Sequence, residues 1–223
     1  VRKDDIELYI KGKEKKYVSR GGLKLEKAIE YFNIDLANQI VLDIGASTGG
    51  FTDVSLKNGA KLVYALDVGT NQLAWELRSH DQVVVMEQTN FRYSQLEDFI
   101  HGRPQFATID VSFISLDLIL PPLSHIIEED GEVVALIKPQ FEAAREDIGE
   151  GRIARDATVY EEVIKNVIDF AARNTFYLLD LTVSPITGTK GNIEFLAHFK
   201  KNIHATSNHE VLIKSVLEDV SKR

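Results

Sequence analysis

The sequence predicts an α/β fold with a mainly parallel, doubly wound sheet, and three observations support this class. Short runs of Val, Ile and Leu recur along the chain without polar alternation, as expected of strands that are buried on both faces. Helical patterns separate the first five runs, which is the arrangement that parallel pairing requires. The last two runs follow each other closely and predict an antiparallel hairpin that closes the sheet.

The individual elements can be placed along the chain. Strands are predicted at QIVLDIG (39–45), KLVYALDVG (61–69), QVVVMEQ (82–88), QFATIDVSF (105–113), GEVVALIKP (131–139), FYLLDLTVSPI (176–186) and NIEFLAHFK (192–200). Helices are predicted at 21–34, 71–79, 93–100, 115–130, 157–174 and 209–223, and Pro121 and Pro122 should interrupt the fourth. The polar segment 141–156 is longer than a usual connection, so it is either a functional flap or a tolerated insertion.

Composition excludes several classes of protein. Hydrophobic residues make up 44% of the 223 residues and charged residues 27%, which is an ordinary globular balance. Cysteine is absent, so disulfides, thiolate metal sites and thiol nucleophiles are excluded. No apolar stretch approaches the ~20 residues of a membrane span, and the start lacks a signal-peptide core. We therefore expect a cytoplasmic protein with no metal site.

The charge distribution is uneven. The formal net charge is −8, which does not by itself suggest a nucleic-acid partner. Residues 11–27, however, contain seven Lys or Arg and two Glu, a net of +5. Lys15, Lys16 and Arg20 in this segment are candidates for contact with RNA phosphates, and the alternative is a solvated tail or helix face.

The first strand ends in a turn, VLDIGASTGGFTD (41–53), that is typical of a cofactor-binding corner. Glycine lets the backbone approach a ligand, and the start of the next helix offers unpaired N–H groups. A dinucleotide fingerprint needs Gly-x-Gly-x-x-Gly, whereas this turn has Gly45, Ser47 and Gly50. Asp43 would also repel a pyrophosphate, but it suits an ammonium or hydroxyl group. These features favour S-adenosylmethionine, which carries an amino acid end and a positive sulfur but no phosphate.

A second acidic residue supports a nucleoside ligand. Asp67 ends the second strand, 22 residues after Gly45, where a carboxylate can accept both ribose hydroxyls, although it could instead cap the next helix. Thr89 and Asn90 follow the third strand, where an adenine edge would lie, but both are also common turn formers. The predicted cofactor-binding residues are Asp43, Gly45, Ala46, Ser47, Thr48, Gly49, Gly50, Phe51, Asp67, Val68, Thr89, Asn90 and Asp110.

Four charged residues form a candidate catalytic set. Asp110 and Lys138 end the fourth and fifth strands and should flank the crevice at the carboxyl edge of the sheet. Lys24 lies in the first helix and Glu194 early in the last strand. Lys138 would take a proton from an alcohol, a neighbouring Lys24 would favour its neutral form, and the two acids would orient the ammonium groups. The alternative is that Lys138 and Glu194 are ordinary solvent-facing residues.

Several of these motifs resemble a known family. DIGASTGGF resembles the DLGAAPGGW turn of FtsJ-type ribose 2′-O-methyltransferases, and Lys24, Asp110, Lys138 and Glu194 follow the order of their K-D-K-E tetrad. KYVSRGGLKLEKAI, TIDVSFISL, LIKPQFE and TGTKGNIEFL are similar to the TlyA family, also labelled hemolysin A, over residues 16 to about 200. The resemblance implies a Rossmann-like class I methyltransferase that uses S-adenosylmethionine. Its implied substrate is the ribose of ribosomal RNA or ribosomal subunits, usually at cytidine.

The sequence departs from the family pattern in two places. Thr48 stands where the FtsJ turn has proline, which leaves the loop less rigid. TlyA proteins begin with an S4-type RNA-binding module, of which only a last strand, DDIELYIKG, is recognisable, so we expect a truncated chain. We predict the end of this module and its linker at 1–18, a methyltransferase domain at 19–203 and a helical tail at 204–223.

Two other functions stay open on the sequence alone. The hemolysin label implies a membrane-active protein, which the lack of a span and of a long basic amphipathic helix disfavours. A methyltransferase fold that only binds RNA, or that acts on a small molecule, is the second alternative. The sequence leaves the oligomeric state and the modified nucleotide open.

Overall fold

The sheet forms with all seven predicted strands. The computed structural model describes residues 15–148, 156–203 and 208–223. The strands are β1 (Ile40–Ile44), β2 (Leu62–Leu66), β3 (Val83–Met86), β4 (Phe106–Ile109), β5 (Glu132–Ile137), β6 (Phe176–Val183) and β7 (Phe195–Lys201). They pair in the order β3-β2-β1-β4-β5-β7-β6, with β1 to β5 parallel and β7 antiparallel to both of its neighbours. The predicted α/β class with a C-terminal antiparallel hairpin is confirmed.

Helices cover both faces of this sheet. They are α1 (Gly22–Tyr31), α2 (Gly50–Lys57), α3 (Trp75–Arg78), α4 (Leu120–Ile126), α5 (Pro139–Glu142), α6 (Ala157–Arg173) and α7 (His209–Ser221). The best-defined start is that of α6, where the Asp156 side chain accepts from the Thr158 N–H at 2.8 Å and so caps the first turn. The predicted helix at 93–100 is reduced to 3-10 turns at Phe91–Tyr93 and Leu96–Asp98.

Two helix predictions need correction. The segment 71–79 forms only the single turn of α3, because Asn71 has a φ of 54° and the Ala74 N–H bonds to the Thr48 carbonyl at 2.9 Å. Residues 71–74 thus pack against the glycine-containing turn 45–50 and do not extend the helix. Pro121 and Pro122 do not interrupt a helix; they lie in the first turn of α4, where a missing N–H removes no helical bond.

The core consists of apolar side chains on the two faces of the sheet. One face packs against α4, α6 and α7, and Ile213 and Val216 of α7 belong to that cluster. The other face packs against α1 and α2, and Tyr17 joins it from the predicted linker. The predicted helix at 209–223 forms as α7, and it buries apolar side chains in the same core as the sheet.

Some predictions fall outside the described residues. The predicted strand DDIELYIKG and most of the segment 1–18 lie there, as does the second half of the predicted loop 141–156. In the described half of that loop, Ala144 leads into a 3-10 turn at Arg145–Asp147. A search of the described helices finds none that is long and apolar enough to cross a membrane.

Candidate active site

The carboxyl edge of the sheet brings the predicted catalytic residues together. Ile44 of β1 is in register with Ile109 of β4, so the residues that follow each strand come out side by side. Lys138 follows β5 at the same edge. Because β7 runs antiparallel, its first residue pairs with the last of β5, Phe195 with Ile137, and Glu194 just before it reaches this edge as well.

The four predicted side chains form one continuous set of ion pairs. Lys138 Nζ lies 2.6 Å from Asp110 Oδ1, and Lys24 Nζ lies 2.7 Å from Glu194 Oε2. Lys24 Nζ is also 3.9 Å from Asp110 Oδ2, which links the two pairs. The interpretation of Lys138 and Glu194 as ordinary solvent-facing residues does not fit these contacts.

Burial makes the pairing of these charges necessary. Lys24 and Lys138 are each 7% exposed and Glu194 is 2% exposed, while the Asp110 side chain retains 21% exposure. An unpaired charge in such a place would be strongly destabilising, whereas two amines and two carboxylates can balance each other. Ser112 adds a hydrogen bond, accepting from Lys138 Nζ at 3.2 Å. The Lys138 amine thus lies at the edge of a cavity, where the partly exposed Asp110 carboxylate holds it in place.

Two cavities meet at this set. The larger, of about 600 Å³, is lined by Lys24, Lys138 and Glu194 together with Gly188, Thr189, Lys190 and Asn192 of the loop after β6. The smaller, of about 460 Å³, extends over the ends of β1 and β2. The residues that line both cavities are Gly45, Ser47, Asp110, Ser112 and Phe113. A group bound in one cavity can therefore reach a group bound in the other beside Asp110.

Gly45 allows the close approach of two strand ends at this junction. Its φ is 85°, which residues with a Cβ rarely adopt. A Cβ at this position would also lie 2.2 Å from the Asp110 carbonyl oxygen. Glycine is thus required at position 45 both by its backbone conformation and by the close approach of Asp110, which pairs with Lys138.

Asp67 lies in the wall of the smaller cavity. Its Oδ2 accepts from the Ser47 N–H at 2.7 Å and its Oδ1 from the Gly69 N–H at 2.8 Å. The alternative that Asp67 caps the next helix is wrong, because the N-cap of α3 is Ala74. Each carboxylate oxygen keeps further acceptor capacity for a ligand hydroxyl.

The other predicted cofactor residues divide into two groups. Those that line the smaller cavity are Gly45, Ser47, Asp67, Val68, Thr89, Asn90 and Asp110. Those that line neither of the two cavities are Asp43, Ala46, Thr48, Gly49, Gly50 and Phe51. The second group supports the turn from behind: Phe51 packs in the core of the α1 and α2 face, and Gly49 lies against Leu73 and Leu77.

Asp43 belongs to this supporting group. It is fully buried in β1 and accepts from the hydroxyls of Thr52 and Thr108 at 2.7 and 3.2 Å. Burial raises the pKa of this carboxyl to about 7, and the nearby Asp110 adds to the rise while the two threonines oppose it. Asp43 therefore fixes the base of the turn through β4 and α2.

Sequence reasoning missed part of the lining. Phe113 has a φ of 63° and is 78% exposed, with its ring centroid 4.9 Å from that of Phe141. Both rings line the larger cavity, as do Gln140 and Gly188. These residues lie a few positions beyond the strand ends or in the loop after β6. Their sequence signals are closeness to Asp110, Lys138 and Glu194 and a place in the motifs TIDVSFISL, LIKPQFE and TGTKGNIEFL.

The predicted RNA-binding residues lie on the surface near α1. Lys15, Lys16 and Arg20 are exposed, although Lys16 Nζ pairs with Glu26 at 2.6 Å. Two other lysines of the basic segment are used internally: Lys24 is in the buried set and Lys27 donates to the Val183 carbonyl. The surface patch is therefore smaller than the charge count implies. The described residues contain no group of three or more His, Cys, Asp or Glu that could hold a metal ion.

Comparisons with known proteins identify the family. The family model of the FtsJ-like methyltransferases matches residues 17–201. The chain is 39% identical over 210 residues to the 16S/23S rRNA (cytidine-2′-O)-methyltransferase TlyA of Mycobacterium tuberculosis, covering 94% of this chain and 76% of that protein. The predicted resemblance to TlyA is confirmed.

Solved structures show the same relationship. A Lactococcus lactis protein described as a candidate hemolysin is 58% identical, with a TM-score of 0.87 over 92% of this chain and 98% of that one. M. jannaschii TYW2 in complex with AdoMet is 18% identical, with a TM-score of 0.52 over 82% of this chain and 77% of that one, and shares the fold alone. The chain belongs to the FtsJ-like methyltransferase family.

Proposed function

We propose that the protein transfers a methyl group from S-adenosylmethionine to the ribose 2′-oxygen of a nucleotide in ribosomal RNA, with cytidine as the target. The observation that carries this proposal is the buried set Lys24, Asp110, Lys138 and Glu194 at the junction of two cavities. The named activity of the TlyA relative supports the choice of ribosomal RNA and of cytidine.

The smaller cavity fits the proposed cofactor. It is lined by two acids, Asp67 and Asp110, and by apolar side chains such as Val68, Phe91 and Ile119. None of the described residues that line it is Lys or Arg, so it offers no side-chain counter-charge for a phosphate. A nucleoside with a positive sulfur suits this lining, and Asp67 would hold its ribose hydroxyls. When bound, the cofactor supplies a methyl group on a cationic sulfur.

Lys138 would act as the base. Its amine, when neutral, would accept the proton of the 2′-hydroxyl as that oxygen forms a bond to the methyl carbon. The bond between this carbon and the sulfonium sulfur would break, so that sulfur leaves as a neutral thioether. With a neutral Lys138, the four side chains carry a net charge of −1, so the incoming proton brings the buried set to neutrality. Asp110 at 2.6 Å and Ser112 at 3.2 Å hold the resulting ammonium.

The larger cavity would receive the acceptor nucleotide. Its size and its contact with Lys138 suit a single ribose, and an RNA-modifying enzyme must bring that ribose out of its surroundings. The exposed ring of Phe113 and the half-buried ring of Phe141 offer a stacking surface for a base. Lys15, Lys16 and Arg20, just before α1, would contact phosphates of the same RNA. Because ribosomes are cytoplasmic, the proposal also places the enzyme there.

The test is a methyl-transfer assay with purified protein, labelled cofactor and ribosomal subunits that lack the modification. We expect label in ribosomal RNA, at a ribose that becomes resistant to alkaline cleavage on its 3′ side. Naked rRNA in a parallel arm shows whether the intact subunit is needed. Label in a base instead of a ribose, or no label at all, would contradict the proposal.

The alternatives give different results in the same preparation. A methyltransferase fold that only binds RNA would retain RNA without transferring label. A protein that acts on the cofactor with a small acceptor would consume cofactor without labelling RNA. A membrane-active protein would release dye from liposomes in proportion to its concentration and without cofactor. The observation that favours methyl transfer over the last of these is the set of buried charges in the wall of the larger cavity.

A further inference from the structure

Glu194 is held at both of its carboxylate oxygens. Oε2 accepts from Lys24 Nζ at 2.7 Å, and Oε1 accepts from the side-chain nitrogen of Gln140 at 3.2 Å. Gly188 lies against the same oxygen, because a Cβ built there would be 2.1 Å from Oε1 and 2.8 Å from the carboxylate carbon. Gln140 and Gly188 thus contact one oxygen atom from two separate segments of the chain.

We propose that Gln140 and Gly188 form a clamp that positions Glu194 and, through it, Lys24 for methyl transfer. The inference rests on the proposed function, because it assigns a role in that reaction. Both are positioning residues: they act through Glu194, and nothing assigns them a direct role in the chemistry.

The distances show why the position of Glu194 matters. Lys24 Nζ is 2.7 Å from Glu194 but 3.9 Å from Asp110, so Glu194 holds the amine away from the second acid. Asp110 is thereby free to keep its 2.6 Å contact with Lys138. If Glu194 moved, Lys24 would close on Asp110 and compete with Lys138 for it, and the base would lose its orientation.

The amide of Gln140 is not explained by local stability. Gln140 is 3% exposed, and its Oε1 accepts no hydrogen bond from any described residue. A buried acceptor without a partner is costly, so packing alone does not account for an amide at this position. The amide also cannot be reversed, because that would place two oxygens together at Glu194. Its contribution is the one hydrogen bond that it donates.

Gly188 provides space for the carboxylate. Its φ of −77° and ψ of −168° are open to any residue, so backbone conformation does not require glycine. Gly191, in the same loop, is the opposite case: its φ is 76°, and a Cβ there would meet nothing within 4 Å. Substitution of Gly188 therefore tests contact with Glu194, and substitution of Gly191 tests backbone strain in the same loop.

A double-mutant cycle between Gln140 and Glu194 tests the clamp. Gln140→Met keeps the volume but cannot donate, so kcat should fall about tenfold to a hundredfold, as expected for loss of a hydrogen bond to a charged group. KM for cofactor and for RNA should change less than about threefold. Tm should change little, because removal of the orphan Gln140 oxygen offsets the loss of the donor to Glu194. In a Glu194→Gln background, the same change should cause little further loss in single-turnover rate.

The outcomes separate this inference from the proposed function. Wild-type protein that transfers no methyl group to ribosomal RNA contradicts the proposed function. Transfer by wild type that Gln140→Met leaves unchanged overturns the clamp alone. An effect of Gln140→Met that persists in full in the Glu194→Gln background overturns it too, because the amide would then act independently of Glu194.

The two glycine variants provide a second test. Gly188→Ala pushes a methyl group into Glu194 and should lower kcat at least tenfold while calorimetry shows unchanged cofactor affinity. Gly191→Ala introduces strain without contact, so it should lower Tm but keep kcat within about twofold. Equal losses of kcat in both variants would mean that loop conformation governs the rate, and the clamp would be wrong.

Discussion

Replacing Asp43 by asparagine should change how the stability of the protein depends on pH. The carboxyl of Asp43 is fully buried in β1, just before the turn 45–50, and it accepts hydrogen bonds from the hydroxyls of Thr52 and Thr108. Burial raises its pKa from the ordinary 3.8 to about 7. Its charged form is therefore disfavoured by the fold, and asparagine removes the charge while keeping the shape.

The magnitude follows from linkage between protonation and folding. Between the unfolded and folded pKa values the native state holds one more proton than the unfolded state, so stability falls as pH rises through this window. Each unit of difference corresponds to about 1.4 kcal/mol, which gives a total near 4 kcal/mol. Most of the loss, about 3 kcal/mol, falls between about pH 5 and pH 8. Below about pH 3 the carboxyl is protonated in both states, so stability no longer changes with pH through this group.

Urea unfolding at pH 5 and pH 8, followed by far-UV circular dichroism, measures this difference. The free energy of unfolding of Asp43→Asn relative to wild type should rise by about 3 kcal/mol from the lower to the higher pH. Asp169→Asn, which changes an exposed acid on α6, is the matched control and should follow wild type. Parallel pH dependence of wild type and Asp43→Asn would refute the reasoning.

Three further predictions concern the two cavities and the approach to them. Asp67→Ala removes the proposed acceptor for the cofactor ribose and the partner of the Ser47 and Gly69 N–H groups. Calorimetry should therefore show cofactor affinity lowered about tenfold to a hundredfold. Unchanged affinity would mean that Asp67 does not bind the ribose. Glu142 accepts from the Ser115 hydroxyl and the Leu116 N–H, so Glu142→Leu should loosen the segment that carries Phe113 and lower kcat/KM for RNA several-fold at constant cofactor affinity. Equal loss of cofactor affinity would argue for a general unfolding effect. The logarithm of the RNA-binding constant falls linearly with the logarithm of the salt concentration, and Arg20→Ala should make this slope shallower by about 0.9. Lys16→Ala should change the slope less, because Lys16 already pairs with Glu26. Identical slopes in all proteins would exclude both residues from the RNA contact.

The sequence predicted the sheet and the meeting of Asp110 and Lys138 for a physical reason. Buried parallel strands have continuous apolar runs, and the residue after each run must come out at one edge of the sheet. That logic places Asp110 and Lys138 side by side without any knowledge of side-chain contacts. The same logic does not reach Lys24 and Glu194, which come from a helix and from an antiparallel strand, and the family order of the four residues supports their choice.

Other features could not be predicted because they depend on contacts between distant segments. The net charge of residues 11–27 counts Lys24 and Lys27 as if both were on the surface. In the fold, Lys24 forms a buried ion pair with Glu194, and Lys27 donates a hydrogen bond to the Val183 carbonyl. The hydrogen bond from Gln140 to Glu194 joins residues 54 positions apart and leaves no periodic signal. The segment 71–79 has a helical pattern, but the Ala74 N–H donates to the Thr48 carbonyl in the turn 45–50 instead of to a helical partner.

The most direct test of the account is the single-turnover rate of methyl transfer to ribosomal subunits by Lys138→Ala, with cofactor binding measured in the same preparation. Lys61→Ala, at the opposite edge of the sheet and exposed, is the matched control. We expect Lys138→Ala to lose at least a hundredfold in rate with cofactor affinity retained, and Lys61→Ala to match wild type. A Lys138→Ala protein that methylates ribose at the wild-type rate would show that this amine is not the base.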